Sequence, residues 1–576
     1  MNAPLRPAAG AEGLTASPGY GPTNAGAVAV SWVPMIAIAL AQIQLGFNVN
    51  ALVMSMGAIV ADLNTSATTL GTALVVYSLA VAGLVMLGAQ LASRIGARRA
   101  FQLGLAAQGL AMIWMALAGS ATEMIAAQAI AGVAAAAAVP AFVVLIAASY
   151  RGKQQEQALG FLGAAQASSA MLAFLVVGLM GAVVSWRWAF ALIVAMALVN
   201  LALSPRLKSD EPQGDVRIDW VGAFLAAMAI SLISLGFNGV NDWGLLVATS
   251  SAPFDLGGLS PAPILFTIGI IFGQGFLVWL RRQRDAGGPE LFALEVLGTR
   301  QERAATLALL ITAALGPAIN FLLPLYIQIV QGRSTAETAV AIVPYSLAIF
   351  ASTIFVVRAY ERYSPRTIGR AGFVAVAAGL FAMAGAINND WGTPAVIASL
   401  IVVGLGEGAL LTLMFNVLVS ASPKELAGQV GALRGTVNNL ATGLGTALAA
   451  IVATGALSLL IASSLAGNAV IPPTLAGEID GIELDDVNFV SNDDLEALLA
   501  GSPATSEQVE EALRINEEAR LRALKIAFLM LGMLALLGII PAGGLPPYVP
   551  GELPDDLHAG WEVETEDLLP PASLAI

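Results

Sequence analysis

Apolar residues gather into fourteen runs, at about 30–60, 68–92, 98–118, 122–149, 156–183, 187–204, 219–238, 261–281, 304–330, 335–358, 368–388, 393–420, 426–462 and 521–542. Most reach roughly 20 residues, the length a helix needs to cross a ~30 Å hydrocarbon core. The pattern predicts an all-α membrane protein with fourteen transmembrane helices, the longer runs tilting or extending beyond the bilayer. Polar residues interrupt the first run: Gln42, Gln44, Asn48 and Asn50 fall in AQIQLGFNVNALVMSMGAIVADL, residues 41–63. An unpaired amide is costly in hydrocarbon, so each is expected to face a cavity or another helix. Gln44 and Asn48 are four residues apart and share one face. That face is predicted to line a central path or to bond a neighbouring helix. Gln42 and Asn50 point elsewhere and are expected to bond across to packed neighbours.

The basic residues orient this array. With the N-terminus inside, 19 of the 26 Lys and Arg fall in inner segments, among them Arg94, Arg98, Arg151, Arg206, Arg281, Arg303, Arg358, Arg370 and Lys424. Six fall outside or at the outer boundary and one, Arg434, falls within a span. Both termini are therefore predicted to be cytoplasmic. The loops ASRIGARRAFQLG and YERYSPRTIGRAG, after the second and tenth runs, are both short, basic and glycine-containing. They suggest two equivalent halves. The expected organisation is a disordered tail at 1–29, a six-helix bundle at 30–204, an inserted helix pair at 219–281, a second six-helix bundle at 304–542 and an acidic tail at 543–576. An acidic outer loop at 464–519 interrupts the second bundle.

Composition agrees and excludes several classes. Of the 576 residues 57% are hydrophobic and 11% charged, against about 25% charged in ordinary soluble proteins. Cysteine is absent and the single histidine, His558, lies in the polar tail, so zinc sites and histidine catalysis are not expected. The net charge of −13 comes from the acidic outer segment and tail, and the membrane body is about +6. No nucleic-acid footprint results. GLGEG and GTVNNLATGLG are glycine-rich but intramembrane, with no preceding strand, so no phosphate loop and no cofactor are expected. Within 464–519, Ser491 to Leu499 reads as a short helix, and Thr505 with Gln508 reads as a capping box opening a second. Together they form a small outer cap, or more plainly a solvated acidic loop. PELFALEVLGTRQER, residues 289–303, is amphipathic and is placed along the inner interface.

Transport against a gradient needs a group that changes charge, and a buried acid serves because desolvation favours its neutral form. Glu407, in IVVGLGEGALLTLMFN, is the only acid deep inside a run, and Arg434 is the intramembrane base. The two are predicted to pair across consecutive antiparallel helices. Gly404, Gly406 and Gly408 beside Glu407 imply close packing or a flexible point. Asn320, Tyr326 and Asn416 join Gln44, Asn48 and Gln128 as candidate pathway residues. Gln166, Gln328, Asn438 and Asn439 are further polar positions in the runs.

Fourteen spans, the basic loop after the second, SWRWAF (185–190), LPLYIQIVQGRSTAETAVAIVP (323–344) and GQVGALRGTVNNLATGLGTAL (428–448) together resemble the fourteen-helix drug:proton antiporters of the major facilitator superfamily. The likeness covers roughly 30–545. It implies two six-helix bundles plus an inserted pair, and a gating loop carried by Arg94, Gly96 and Arg98. Several motif positions depart from the family's. The loop aspartate is Ser93. The acid of the first span's L-D-x-T motif falls at Asn48 and its threonine at Asn50. The arginine of the fourth span falls at Gln128, and the G-P-x-x-G-G signature becomes Ala173 to Gly178. The resemblance implies a secondary transporter exporting amphipathic organic compounds from a bacterial cytoplasmic membrane, with protons as the candidate coupling ion. It is expected to be a monomer among membrane lipids, binding a small-molecule substrate. The alternatives are an uncoupled facilitator or lipid-handling variant, and a non-transporting scaffold.

Overall fold

The computed structural model describes residues 31–548 except 66, 152, 182–184, 209–216, 250–251, 293, 334, 361, 390–393, 422–426, 466–467, 469, 473–491 and 501–503. The expected tail at 1–29, residues 549–576 of the expected tail at 543–576, His558, Lys424, the Ser491 cap and residues 473–491 of the acidic outer segment lie outside the described residues.

Several helices begin where an apolar run meets a capping side chain. Ser120 accepts from Glu123 N, Ser260 precedes Pro261, Ser364 precedes Pro365, and Thr299 with Glu302 forms a reciprocal capping box, each supplying an acceptor to otherwise unpaired helix N–H groups. The first half contains α1 (Val33–Met54), α2 (Met56–Leu63), α3 (Ala67–Ile95), α4 (Ala97–Leu117), α5 (Ala121–Ser149), α6 (Lys153–Gly181) and α7 (Arg187–Leu203). Then come α8 (Trp220–Trp243) and α9 (Pro261–Asp285), followed by α10 (Arg300–Pro324), α11 (Thr335–Ala359), α12 (Pro365–Ala386), α13 (Pro394–Ala421) and α14 (Ala427–Leu465). The outer segment holds α15 (Asn492–Leu499). The last long helix is α16 (Ser506–Leu537), and a short α17 (Ile539–Ala542) follows it.

Every one of the fourteen predicted runs lies on a helix. Twelve helical stretches among the described residues are long and apolar enough to cross a membrane. The other two runs lie on α6 and α11. The first run breaks at Ser55 into α1 and α2. The run 304–330 ends in a π-helical stretch, Leu325–Val330. The last run starts fifteen residues later than its helix, because the Thr505–Gln508 capping box opens α16 early.

Packing follows a pattern that recurs in the two halves. α3 and α4 flank α5 as α11 and α12 flank α13, and α1 packs on α6 and α7 as α10 packs on α14 and α16. The two sets meet through α6 on α11 and through α14 on α3 and α5. Cβ positions of Gly431 and Gly435 lie 3.0 Å from Val143 and Val85, so this second contact forms near the ends that carry the basic loops. α8 and α9 pack on each other, and α8 lies against α3 and α14. Gln90 ties this pair in: its side chain donates to Glu290 O at 2.9 Å and accepts from Asp219 N at 3.1 Å. Asp219 caps α8 and accepts from Trp279 Nε1 at 3.0 Å.

Residues 289–303, the amphipathic run expected along the inner interface, lead into the start of α10. They hold a 3-10 turn, Leu294–Leu297, with Leu291, Phe292 and Val296 buried. The acidic outer segment is not simply a solvated loop. α15 and the first turns of α16 enclose a small apolar core of Ile471, Leu495, Leu499, Ala512 and Ile515. Arg520, 2% exposed, ties it down by donating to Asn492 Oδ1 at 2.6 Å and to Ile329 O at 3.2 Å.

At the end of the bundle opposite the basic loops Arg187 pairs with Asp62, donates to Ala118 O at 2.9 Å and stacks on Trp186. The hydrogen bond from Arg187, followed by that from the Trp186 indole, holds the Asp62 carboxyl below the usual carboxylate range.

Small residues set the closest helix contacts, as lipid-embedded bundles require. A side chain at Gly88 on α3 would collide with the backbone carbonyl of Ala136 on α5, whereas Gly385 on α12 faces open space. Gly88→Leu is therefore expected to cost at least about 2 kcal/mol through overpacking. Gly385→Ala is expected to be neutral or stabilising by up to ~1 kcal/mol. Thermal unfolding of the two purified variants, followed by intrinsic fluorescence, checks the contrast.

Candidate functional site

Polar side chains inside the spans fall into three groups. The first is a set of five amides between α1, α4, α5 and α7. Gln44 Nε2 donates to Gln108 Oε1 at 2.8 Å, and the Asn200 amide lies 2.9 Å from Gln44 Oε1. Turned over, the Asn200 amide would bond Ala37 O at 2.8 Å, so it ties α7 to α1 in either orientation. Asn48 and Gln128 bond reciprocally, Nδ2 to Oε1 at 2.9 Å and Nε2 to Oδ1 at 3.2 Å. Exposure is 0% for Gln44 and Asn48 and 1% for Gln128. In this conformation none of the three can touch a solute. They join helices, the packing alternative for that face, and they do not wall a path. Asn50, expected to bond across to a packed neighbour, instead donates its amide to Gly46 O of its own helix at 2.7 Å.

The second group surrounds Glu407. Its carboxylate is buried where α13 meets α10 and α11, and it accepts a short hydrogen bond from the Tyr345 hydroxyl of α11. Its other oxygen lies over Gly316 of α10, where any side chain would collide with it. Gly404 and Gly408 press against the α11 backbone at Tyr345 and Ile349, and Gly406 presses against α12 at Gly372 and Val376. The three glycines thus serve close approach. Asn320 is exposed one turn beyond Gly316 on the same face of α10.

The third group lies at the seam between the halves. Arg434 of α14 donates to Gln166 Oε1 of α6 at 2.6 Å, and its guanidinium stacks 4.4 Å from the Phe415 ring of α13. Gln166 reaches Asn438 of α14 at 3.5 Å. The predicted Glu407–Arg434 pair does not form. Phe415 is two turns along α13 from Glu407, ~12 Å of helix, and the arginine turns outward across the seam.

The remaining candidates are dispersed. The Tyr326 hydroxyl is at the end of the bundle opposite the basic loops, donating to Asn388 O at 3.0 Å and accepting from Gln331 at 3.1 Å. Asn416 is buried and donates to Thr412 O of its own helix at 3.0 Å. Gly96 has φ of 91° and starts α4, a left-handed turn position that favours glycine. Arg94 is exposed and Arg98 half-buried. Ser93, at the family aspartate position, bonds Ala89 O of its own helix at 3.1 Å.

Sequence reasoning missed Gln108, Asn200 and Tyr345. The two amides could have been found by the rule applied to Gln44, that an amide within a run needs a partner. Tyr345 carried no such mark.

Comparison with known proteins agrees with this architecture. The Major Facilitator Superfamily model matches residues 36–446. The multidrug efflux pump LfrA of Mycolicibacterium smegmatis is 25% identical, over 88% of this chain and 96% of that protein. The puromycin resistance protein pur8 of Streptomyces alboniger is 27% identical, over 74% of this chain and 82% of that protein. The cephamycin export protein CmcT of Amycolatopsis lactamdurans is 26% identical, over 70% and 81%. Among solved structures, the proton:xylose symporter XylE superposes with a TM-score of 0.53 at 13% identity, covering 92% of this chain and 98% of that one. Fold and family model together place the chain: it belongs to the major facilitator superfamily, as a multi-pass membrane transporter built almost wholly of helices.

Proposed function

We propose that this protein exports amphipathic organic compounds by secondary active transport, with Glu407 as the group that binds and releases the coupling proton. The single observation behind this reading is the Glu407 site. Among the described residues it is the only acid deep within a span, and its carboxylate is bonded to a neutral hydroxyl with no basic partner. A charge isolated in this way is expensive and marks function. Loss of its proton is coupled to the packing of α10, α11 and α13, because the carboxylate fills the slot above Gly316. The named activities of the pur8, CmcT and LfrA relatives support organic compounds as the cargo. The apolar, sparsely charged interior supports amphipathic ones.

In this reading the chain crosses a bacterial inner membrane fourteen times, as a monomer with both termini in the cytoplasm. α1–α7 and α10–α16 form two rocking bundles, with α8–α9 as an inserted pair. Asn320, one turn from the Glu407 slot, faces the solute. Arg94, Gly96 and Arg98 shape the inner gate. Gln44, Asn48, Gln128, Tyr326 and Asn416 hold the bundles in shape. The neutral amides and serine at the family's charged positions favour a second reading, an uncoupled facilitator with the same cleft.

Proteoliposomes loaded with an amphipathic dye separate the two. The first reading expects concentrative transport that collapses when the pH gradient is dissipated and that falls to the level of protein-free vesicles in Glu407→Gln. Concentrative transport unchanged by Glu407→Gln would overturn the assignment of this residue. Transport that only equilibrates the dye, with or without a gradient, would favour the facilitator. A second measurement addresses the amide pair. Asn48→Asp alone places an unpaired carboxylate at Gln128 and is expected to lower stability by about 3 kcal/mol. Adding Gln128→Arg is expected to recover most of that loss in thermal unfolding.

A further inference from the structure

A cavity of ≈ 610 Å³ lies between α1, α6 and α11, apart from the groups above. Its size falls in the ~300–1,000 Å³ range of small-molecule sites. On α1 it is lined by Ile36 and Ile43, which stand on a different side of the helix from Gln44 and Asn48. On α6 it is lined by Phe161 and Ser168. At ~100° per residue these point away from Gly163, whose Cβ position is 3.7 Å from Thr412 of α13, and from Gln166, which bonds α14. The cavity therefore lies at the α6–α11 contact between the halves, on the side turned away from α13 and α14, and opens to the side of the molecule. Ile36, Phe161 and Phe350 are exposed there, so the groove wall faces the hydrocarbon.

One end is different. Arg358, near the last turn of α11, lines the groove and is exposed, with no ion-pair or hydrogen-bond partner among the described residues. Trp32, next to the start of α1, lines the same groove and is stacked on Tyr150 with ring centroids 5.3 Å apart. A basic residue with aromatic rings at a helix end marks the headgroup level of a membrane. Along α11 the groove follows two turns from Arg358 to Phe350, ~12 Å, and along α1 (Trp32 to Ile43) and α6 (Gln157 to Ser168) it follows eleven residues, ~17 Å. That is about half the ~30 Å hydrocarbon thickness, so the groove is about one leaflet deep.

We infer that this groove holds an anionic phospholipid from the leaflet facing the basic loops, with one acyl chain along Ile36, Phe161 and Phe350 and its phosphate on Arg358. An apolar channel of one-leaflet depth with a single cation at its headgroup end is complementary to that ligand. A zwitterionic lipid would bring its own cation to the guanidinium. Because α6 and α11 belong to opposite halves, the bound chain would span the line along which they move.

Native mass spectrometry of the full chain in detergent tests this with phosphatidylglycerol and phosphatidylcholine of identical acyl chains. The intact protein is expected to retain one phosphatidylglycerol in preference to phosphatidylcholine by about fivefold, the effect of one basic side chain on an anionic lipid. Arg358→Gln should bind both lipids equally, and Ala164→Trp, which fills the groove, should retain neither. Ile36→Trp, at an exposed position, repeats the filling experiment without disturbing a helix contact. Glycerol 3-phosphate, a soluble headgroup without chains, should not displace the lipid. Equal retention by the intact protein, an undiminished preference in Arg358→Gln, or one-for-one displacement by glycerol 3-phosphate or by a transported dye would each overturn the assignment.

Discussion

Lipid offers no hydrogen bonds, so every polar group carried into the membrane must find its partner in protein. That constraint organises this molecule. Gln44 meets Gln108 and Asn200, Asn48 meets Gln128, Glu407 meets Tyr345, and Arg434 meets Gln166. Each pair joins different helices, so each fixes the rotation of the helices that carry it. Between the pairs, glycine and alanine let backbones touch, which supplies the dispersion contact that replaces a hydrophobic drive in this solvent.

The Asn48–Gln128 pair gives the departures from the family pattern a physical meaning. The family places an acid at the first position and an arginine at the second. Here both are amides, and they bond one another twice. Changing only one partner would have left a buried charge against a neutral group, which is far more costly than changing both. The two amides therefore act as one unit in energetic terms, and neither of them can titrate. Ser93 extends the same trend to the loop, where its hydroxyl turns back onto its own helix.

The places of the helices were legible because membrane thickness imposes a length on the sequence: twelve of the apolar runs lie on helical stretches long and apolar enough to span, and the other two lie on α6 and α11. The partners were less legible. Periodicity put Gln44 and Asn48 on one face correctly, but a face does not say whether it meets a cleft or a neighbouring helix. That depends on helix rotation about its axis, which the hydrophobic pattern cannot give when the helix is apolar all round. Glu407 was found as an isolated acid. Its partner was misassigned because consecutive helices are adjacent in sequence, whereas Tyr345 comes from α11, reached through the close packing of Gly404 and Gly408. The π-helical end of α10 had no sequence signal beyond Pro324.

The arginine at the seam follows from the same energetics. Had Arg434 paired with a carboxylate of α6, parting the halves would have stranded two buried charges in hydrocarbon. Its partner is instead the neutral amide of Gln166, and its guanidinium lies on Phe415 of its own half. A separation of α6 from α14 would break one charge-assisted hydrogen bond and leave the cation–π contact, which strengthens as water is excluded. In the rocking-bundle reading proposed above, such a contact would order the seam when the two halves meet there and could be remade as they part. A neutral partner on one side and an aromatic face on the other would let a permanent charge sit on a boundary that moves.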